Sequence, residues 1–579
     1  MIILGLTTGH DASAALFVDG KLVSFCKQER MSRVKQQAGY PLHQECIDET
    51  LKAAGVTPDQ IDKVSLIRSR LPANCFKKSY RPVWARMRKI LRRTIKIFTE
   101  MREQGIMDEF EILDKGCMRK HLKVRPDTEI NFTNHHYSHI LGAFKFTTWK
   151  KDALYVCCDA SGDGASYAAY YFDGTTLKRL YGGDDYVLRK KFNFAASVGI
   201  AYSHVTMALG YRANRHEGKI TGLAAFGKPV LGEEIYNSFS IVDDFEIESS
   251  FENEPALGEY IREKSKQHSA EDMAASVQYA MEKFVLDWVG ALRKEYPCKY
   301  IGMSGGVFAN VRLNQKVAEL DGVEQVYIFP AMGDEGLAVG NCVDMEIQEQ
   351  GAANIKRYAL QDVYMGYDYT GASLLSIAQQ QAFYVQETST GAKVAAELLA
   401  KGIIGAIFSE RMEMGPRALG ARSIVASPSK RELNDTLNER LNRTEFMPFA
   451  PYVLDEDARE VFKISDVTYE ACRFMTITTD VNEKYHDMIQ AVVHVDGTAR
   501  PQIIERKTNA LYYDILLHFK KKTGIPCLVN TSFNAHEEPI INKPIEALNS
   551  LSEKRIDFLV CDAGLVFRNE QDYRKLLEK

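Results

Sequence analysis

The order of apolar and polar positions sets the elements of this chain before any chemistry is considered. Met1–Leu6 is a short apolar run. After a polar turn, Ser13–Val18 alternates as a second strand, and Asp19-Gly20 carries the two-residue signature of a tight hairpin. A helix is expected over Pro41–Ala54 and a returning strand over Lys63–Ile67. The arrangement recurs further on, where an apolar run (Ala153–Cys157) leads into Asp159-Ala160-Ser161, an alternating strand and an Asp173-Gly174 turn. The first copy reads Asp11-Ala12-Ser13. One Asp-Ala-Ser is noise. Two, each between strands and ahead of a hairpin turn, predict a duplicated unit whose two loops face one ligand.

From 126 to about 345 strands and helices alternate again, with strand-to-helix turns at "YIGMSGGVFANVRLNQ" and "VYIFPAMGDEGLAVG". The pattern weakens between 346 and 390, then resumes with the helix "GAKVAAELLAKG" and the strand "IIGAIF". Two domains, 1–355 and 356–579, are expected, the first interrupted by a segment over 71–125. Within that segment "FKKSYRPVWARMRKILRRTIKIF" carries nine basic residues and no acid. It reads either as an amphipathic helix burying Trp84, Met87, Leu91 and Phe98, or as a docking surface for an anionic substrate.

Composition narrows the class. At 579 residues, 45% hydrophobic and 26% charged, the chain is an ordinary globular α/β sequence. A net charge of −4 gives no general pull toward nucleic acid or membrane. Eleven cysteines without a CxxC pair read as thiols, not as a disulfide scaffold or zinc ribbon. The opening residues lack a targeting pattern and no stretch approaches membrane-spanning length, so a cytoplasmic protein is expected.

Candidate chemistry sits at the turns. "NHHYSHILGAF" places His135 and His139 on one face if helical, a common start to a divalent-metal site, with His136 pointing elsewhere. Asp159 and Asp334 are carboxylates at loop ends, although Asp334 reads equally as a helix cap. In "MSGGVFAN", Gly305 and Gly306 open a turn whose amides suit a phosphate or simply a tight packing turn. "GLAAFGKP" matches a P-loop spacing, but Pro229 replaces the residue that would hold Mg2+, and that reading is rejected. "RMEMGPRALGARSIVASP" sets Arg411, Arg417 and Arg422 among Gly and Pro, followed by Arg443. With Arg500, Asn530, Ser532 and Asn534 at later strand ends, these predict an anionic nucleotide pocket rather than an ion-pair network.

"GHDASAAL", "NHHYSH", "EGKITGLAAFGKP", "SGGVFAN" and "GDEGLAVG" resemble the N-terminal domain of the O-carbamoyltransferases of nodulation-factor and antibiotic biosynthesis. "RMEMGPRALGARSI", "FMPFAP", "HVDGTARPQ" and "NTSFN" resemble that family's C-terminal domain. The resemblance implies a duplicated actin/hexokinase-like (ASKHA) domain, akin to the enzyme that threonylcarbamoylates tRNA, followed by a YrdC-like α/β domain. It implies that carbamoyl phosphate and ATP, the latter with Mg2+, form carbamoyladenylate in the second domain. The carbamoyl group then passes to a hydroxyl of a small-molecule natural product at the first.

By motif, His135, His139, Asp159 and Asp334 match the metal ligands, normally Fe2+ in that family. Asp11, Ser13 and Ser161 would flank the nucleotide cleft, with Gly305, Gly306 and Asn310 beside it. His10 and Lys35 match polar positions near the transfer site, and either His10 or His136 would take the acceptor proton. Arg417, Arg422 and Arg443 would serve activation, although some members carry a Lys shortly before the block that here reads "LNRTEFMPFAP". A tRNA threonylcarbamoyl-type transferase and an actin-like ATPase or kinase are the competing readings. The acceptor and the assembly state, including a homodimer, stay open.

Overall fold

The computed structural model describes residues 1–38, 43–68, 70–78, 94–96, 105, 108–183, 192–443 and 448–578. The chain divides into two compact units: Met1–Ser32 with Gln36–Ala359, and Arg33–Lys35 with Leu360–Lys579.

The first unit is built on two five-stranded sheets of the same topology. In one, strands β1 (Ile2–Thr7), β2 (Ser13–Val18), β3 (Lys21–Lys27), β4 (Lys63–Ile67) and β5 (Glu129–Thr133) lie in the order β3-β2-β1-β4-β5. In the other, β6 (Ala153–Gly162), β7 (Ala165–Phe172), β8 (Leu177–Tyr181), β9 (Tyr300–Ser304) and β10 (Gln325–Ile328) lie in the order β8-β7-β6-β9-β10. Each begins as an antiparallel meander closed by short turns. Each then adds two parallel strands, which need longer crossovers. The duplication expected from the repeated Asp-Ala-Ser is thus present as two matching sheets.

The helix expected from Pro41 is described from Gln44 to Ala54. Its Ile47 and Leu51 pack with Met118 and Leu122 of the helix Lys115–Leu122 against Leu4, Leu16, Val64 and Leu66. Each such fully buried side chain contributes about 1.5–3 kcal/mol relative to exposure. The stripe Trp84, Met87, Leu91 and Phe98 lies outside the described residues.

Two helices carry the site toward the sheets. His135–Lys145 begins at Asn134, whose side chain accepts from the Tyr137 amide. Leu337–Gln350 crosses it at Gly340, where a Cβ would stand 1.9 Å from the Ser138 carbonyl oxygen. Only glycine allows that approach, and it brings the residues just before Leu337 alongside His135 and His139.

The second unit is a mixed eight-stranded sheet of β11 (Tyr384–Glu387), β12 (Gly405–Phe408), β13 (Arg422–Ala426), β14 (Ala450–Leu454), β15 (Gln502–Ile504), β16 (Cys527–Ser532), β17 (Phe558–Cys561) and β18 (Gly564–Phe567). Their order is β11-β18-β17-β12-β13-β16-β14-β15. Helices Gly391–Ala400 and Ala510–Thr523 cover it, with Leu398, Leu399, Ile515, Leu516 and Phe519 in one core with Ile407, Val425 and Leu528. No helix among the described residues is long and apolar enough to cross a membrane.

Candidate active site

His135, His139, Asp159 and Asp334 come together in the first unit, all buried, with one ligand atom from each inside a span of 4.8 Å. His135 Nε2 is 3.1 Å from Asp159 Oδ2 and 3.4 Å from Asp334 Oδ1. His139 Nε2 is 4.0 and 3.6 Å from the same oxygens. Three local features produce this set. The two histidines sit one turn apart on a single helix. Asp159 lies where the β6–β7 register breaks between Cys158 and Gly162, so Asp159-Ala160-Ser161 bulges out of the ladder. Asp334 opens the turn Asp334–Gly336 without capping it, since Gly333 holds the cap position; of its two readings, the structure favours the one facing the histidines. Gly162 completes the fit, because a Cβ there would meet the His135 ring at 2.2 Å.

These residues fit a divalent cation. His139 Nε2 is buried without a hydrogen-bond partner, while its Nδ1 is 3.3 Å from Ser304 Oγ. Two imidazoles and two carboxylates are the donor set of Fe2+, Mn2+ or Zn2+. The local field agrees. Burial disfavours charge on His135, yet Asp334 and Asp159 hold its pKa up at about 9. Asp159, although buried, is held below the usual carboxylate range by the same imidazole. Asp163, missed by the sequence reading, anchors the helix start by accepting from the His135 amide at 2.9 Å.

His10 meets the cluster at its exposed side, and the buried His136 ring lies 5.0 Å from that of His135. His10 Nε2 is 3.2 Å from Asp334 Oδ2, its Nδ1 is 3.2 Å from Asp11 Oδ2, and its side chain is 55% exposed. Asp334 and then Asp11 raise its pKa to about 10. His136 is fully buried, with Nε2 3.0 Å from the Gly162 carbonyl and Nδ1 3.4 Å from Cys157 Sγ. Burial and the neighbouring His135 push its pKa down to about 3. It braces the β6–β7 turn. Lys35 groups with the second unit.

A buried lysine adjoins the cluster. Lys27 Nζ is 3.4 Å from Asp11 Oδ1 and 3.2 Å from Glu29 Oε1, and Glu29 also pairs with Arg30 at 3.2 Å. Burial opposes charge on Lys27, but Glu29, Glu335 and Asp11 outweigh it and raise its pKa. Burial likewise opposes charge on Glu29, and Lys27 and Arg30 bring it down to about 2. The chain Arg30–Glu29–Lys27–Asp11–His10 therefore leads up to Asp334.

Several expected nucleotide contacts are spent inside the protein. Ser13 Oγ donates to the Glu335 carbonyl at 2.7 Å, tying the first Asp-Ala-Ser loop to the Asp334 turn. The Gly305 amide donates to Met332 O at 2.8 Å and the Gly306 amide to Asp159 Oδ1 at 3.3 Å, so this turn supports the cluster. Asn310 caps the helix Val311–Ala318 and bonds Gln278. Ser161 is exposed.

In the second unit a buried acid that the sequence reading passed over organises the arginine turn. Glu413 Oε1 accepts from the amides of Leu419, Ala421 and Arg422 at 3.0, 2.8 and 2.9 Å. Gln502 donates to the Leu419 carbonyl and Asn530 to the Ala418 carbonyl, each near 2.9 Å or closer, so Asn530 positions the turn. Arg417 is half-buried on it. Arg422 begins β13 fully buried, its guanidinium 3.7 Å over the Phe408 ring and its Nη1 donating to the Ser409 carbonyl at 2.6 Å. Its Nε and Nη2 have no hydrogen-bond partner. Burial lowers its pKa to about 10. Arg443 donates to Thr531 Oγ1, to the Ser532 carbonyl and hydroxyl, and to the Asn534 carbonyl and side chain. Arg443, Ser532 and Asn534 thus satisfy one another as a brace at the end of β16. Arg500 is half-buried between the short strands Thr498–Ala499 and Gln502–Ile504.

Stranding a buried amide costs about 1–3 kcal/mol, and Glu413 serves three. Glu413→Ala should therefore speed hydrogen exchange across 418–422 by roughly a hundredfold, equivalent to about 3 kcal/mol of local protection. Unchanged protection in that peptide would show that the carboxylate does not hold the turn.

Comparison with known proteins agrees in both halves. The family described as carbamoyltransferase N-terminus matches residues 2–343, and carbamoyltransferase C-terminus matches 396–568. Nodulation protein NolNO of Sinorhizobium fredii is 29% identical over 570 residues, covering 96% of this chain and 79% of that protein. Nodulation protein NolO of Bradyrhizobium diazoefficiens is 32% identical over 445 residues, covering 75% of this chain and 78% of its own. Among solved structures, full-length HypF in its phosphate- and nucleotide-bound form aligns over 61% of this chain and 56% of that one. Its TM-score is 0.32 at 15% identity.

Proposed function

Because the chain belongs to the carbamoyltransferase family, matched at both its N- and C-terminal regions, we propose that it is an ATP-dependent O-carbamoyltransferase. In this reading carbamoyl phosphate and ATP–Mg2+ form carbamoyladenylate on a YrdC-like second unit, and the carbamoyl group passes to a hydroxyl of a small molecule at the first. The observation that carries it is the buried His135, His139, Asp159 and Asp334 set, with His10 at its exposed side.

Those four side chains would hold a divalent cation, Fe2+ in the reading preferred here, which when bound supplies Lewis acidity toward phosphate and carbamoyl oxygens. The protein's own residues do the rest. Asp11 orients the His10 ring through Nδ1, leaving Nε2 to take the acceptor hydroxyl's proton once Asp334 is engaged by a cation. Lys27 fixes Asp11 in turn. On the second unit, the Glu413-held turn presents Arg417 toward anionic substrate, with Arg422 and Arg500 as further cationic groups. Arg443, Ser532 and Asn534 shape that strand end, and Asn530 steadies the turn.

The test is pyrophosphate release. It should require carbamoyl phosphate and ATP together, with the acceptor absent. Pyrophosphate released equally without carbamoyl phosphate would favour an actin-like ATPase or kinase. Dependence on threonine and bicarbonate in its place would favour a threonylcarbamoyl-type enzyme.

A further inference from the structure

A second group of soft ligands lies in the first unit, formed by residues far apart in sequence. Cys75 Sγ and Cys117 Sγ are 3.3 Å apart, and a ring nitrogen of His121 joins them within 4.8 Å. All three belong to the ends of the segment over 71–125. Cys75 closes the short turn Ala73–Cys75, while Cys117 and His121 stand one turn apart on one face of the helix Lys115–Leu122.

The backbone makes this meeting a fixed feature. Asp114 donates its amide to the Cys75 carbonyl at 2.8 Å and accepts with its side chain from the Cys117 amide at 3.0 Å. One residue further Phe76 bridges Leu113, and one beyond that the Lys77 amide donates to Ile112 O at 2.8 Å. The two limbs are thus paired main chain to main chain, with the sulfurs facing one another across the pair. The Asn74 side-chain nitrogen lies 2.8 Å from His121 Nε2. Cys117 lies in the first turn of its helix.

We propose that Cys75, Cys117 and His121 form a thiolate-rich site for a borderline divalent cation, zinc in the first instance, that clamps the two limbs of the 71–125 segment. Tetrahedral zinc with bonds of about 2.3 Å to sulfur sets two thiolates about 3.8 Å apart. The observed 3.3 Å needs only a small outward shift. Binding releases one proton from each thiol to solvent. Two thiolates and a neutral imidazole then balance the cation's charge, and water completes the tetrahedron on the half-exposed side. The site is separate from the His/Asp cluster in residues and in donor chemistry, and it does not depend on the reaction proposed above.

That difference in donors supplies the experiment. Co2+ added to the reduced, full-length protein should produce thiolate-to-cobalt charge-transfer absorption in the near ultraviolet, which a His/Asp site cannot give. Cys117→Ser and Cys75→Ser should each weaken it severely, whereas His139→Ala should leave it intact. Zn2+ should also slow alkylation of Cys117 in the unaltered protein by at least tenfold, a reading that needs no variant to fold. Absence of the charge-transfer band, its survival in Cys117→Ser, or alkylation indifferent to Zn2+ would each overturn the proposal. So would recovery of Cys75 and Cys117 as a disulfide that zinc does not prevent from forming, which would make them a redox pair.

Discussion

Asp334→Ala and Arg417→Ala should fail in different halves of the reaction. Asp334 lies in the His/Asp cluster of the first unit, and Arg417 on the Glu413-held turn of the second. Charge-assisted hydrogen bonds to phosphate contribute about 1.5–3 kcal/mol each, and more where charge develops in the transition state. Arg417→Ala should therefore cut pyrophosphate release by roughly two orders of magnitude or more. Asp334→Ala should leave that release largely intact and abolish carbamoylation of the acceptor. Preformed carbamoyladenylate should restore product with Arg417→Ala and not with Asp334→Ala. If both variants lose both half-reactions equally and neither is restored, the two chemistries share one site and the division is wrong.

The second large effect is on metal content. Replacing His135 and His139 together by Ala removes both nitrogen donors of the buried set, and a metal site that loses even an outer contact weakens about 10–100-fold. Metal at this site should fall from about one per chain to a small fraction of that, as chelation in the presence of excess ligand would report. The fold should persist, because the helix His135–Lys145 keeps Ile140, Leu141 and Phe144 in the core. Any thiolate-bound ion is counted separately by its absorption. Undiminished metal in the double variant, after thiolate-bound ion is subtracted, would remove the assignment.

How much of this was legible beforehand depended on whether a feature is local in the chain. The i, i+4 histidines, the repeated Asp-Ala-Ser and the Gly/Pro turn around Arg417 are short patterns, and each maps onto a real helix, loop or turn. Lys27 shows where such reasoning stops. From the Asp19-Gly20 turn, Val18 pairs with Lys21, and unbroken counting would set Ser13 opposite Cys26. A register shift between Leu16 and Phe17 sets Ser13 opposite Lys27 instead. A one-residue slip exchanges the faces of a strand, so that bulge decides whether the charged group reaches Asp11.

The arginines show the same limit from the other side. Sequence set Arg443 apart from Arg417 and Arg422 only by the block that follows it, and packing separates them further: Arg443 is occupied by five groups around β16, and Arg422 is enclosed over Phe408. Cys75 and Cys117, 42 residues apart, looked like two scattered thiols until the main-chain pairing of their limbs set them 3.3 Å apart. The sequence by itself determined the alternation of elements, the duplication, the family and the residue types of the His/Asp cluster, because periodicity and short motifs are written along one dimension. The tertiary structure decided which polar groups face one another and which are already satisfied, because burial and register depend on contacts between residues far apart in the chain.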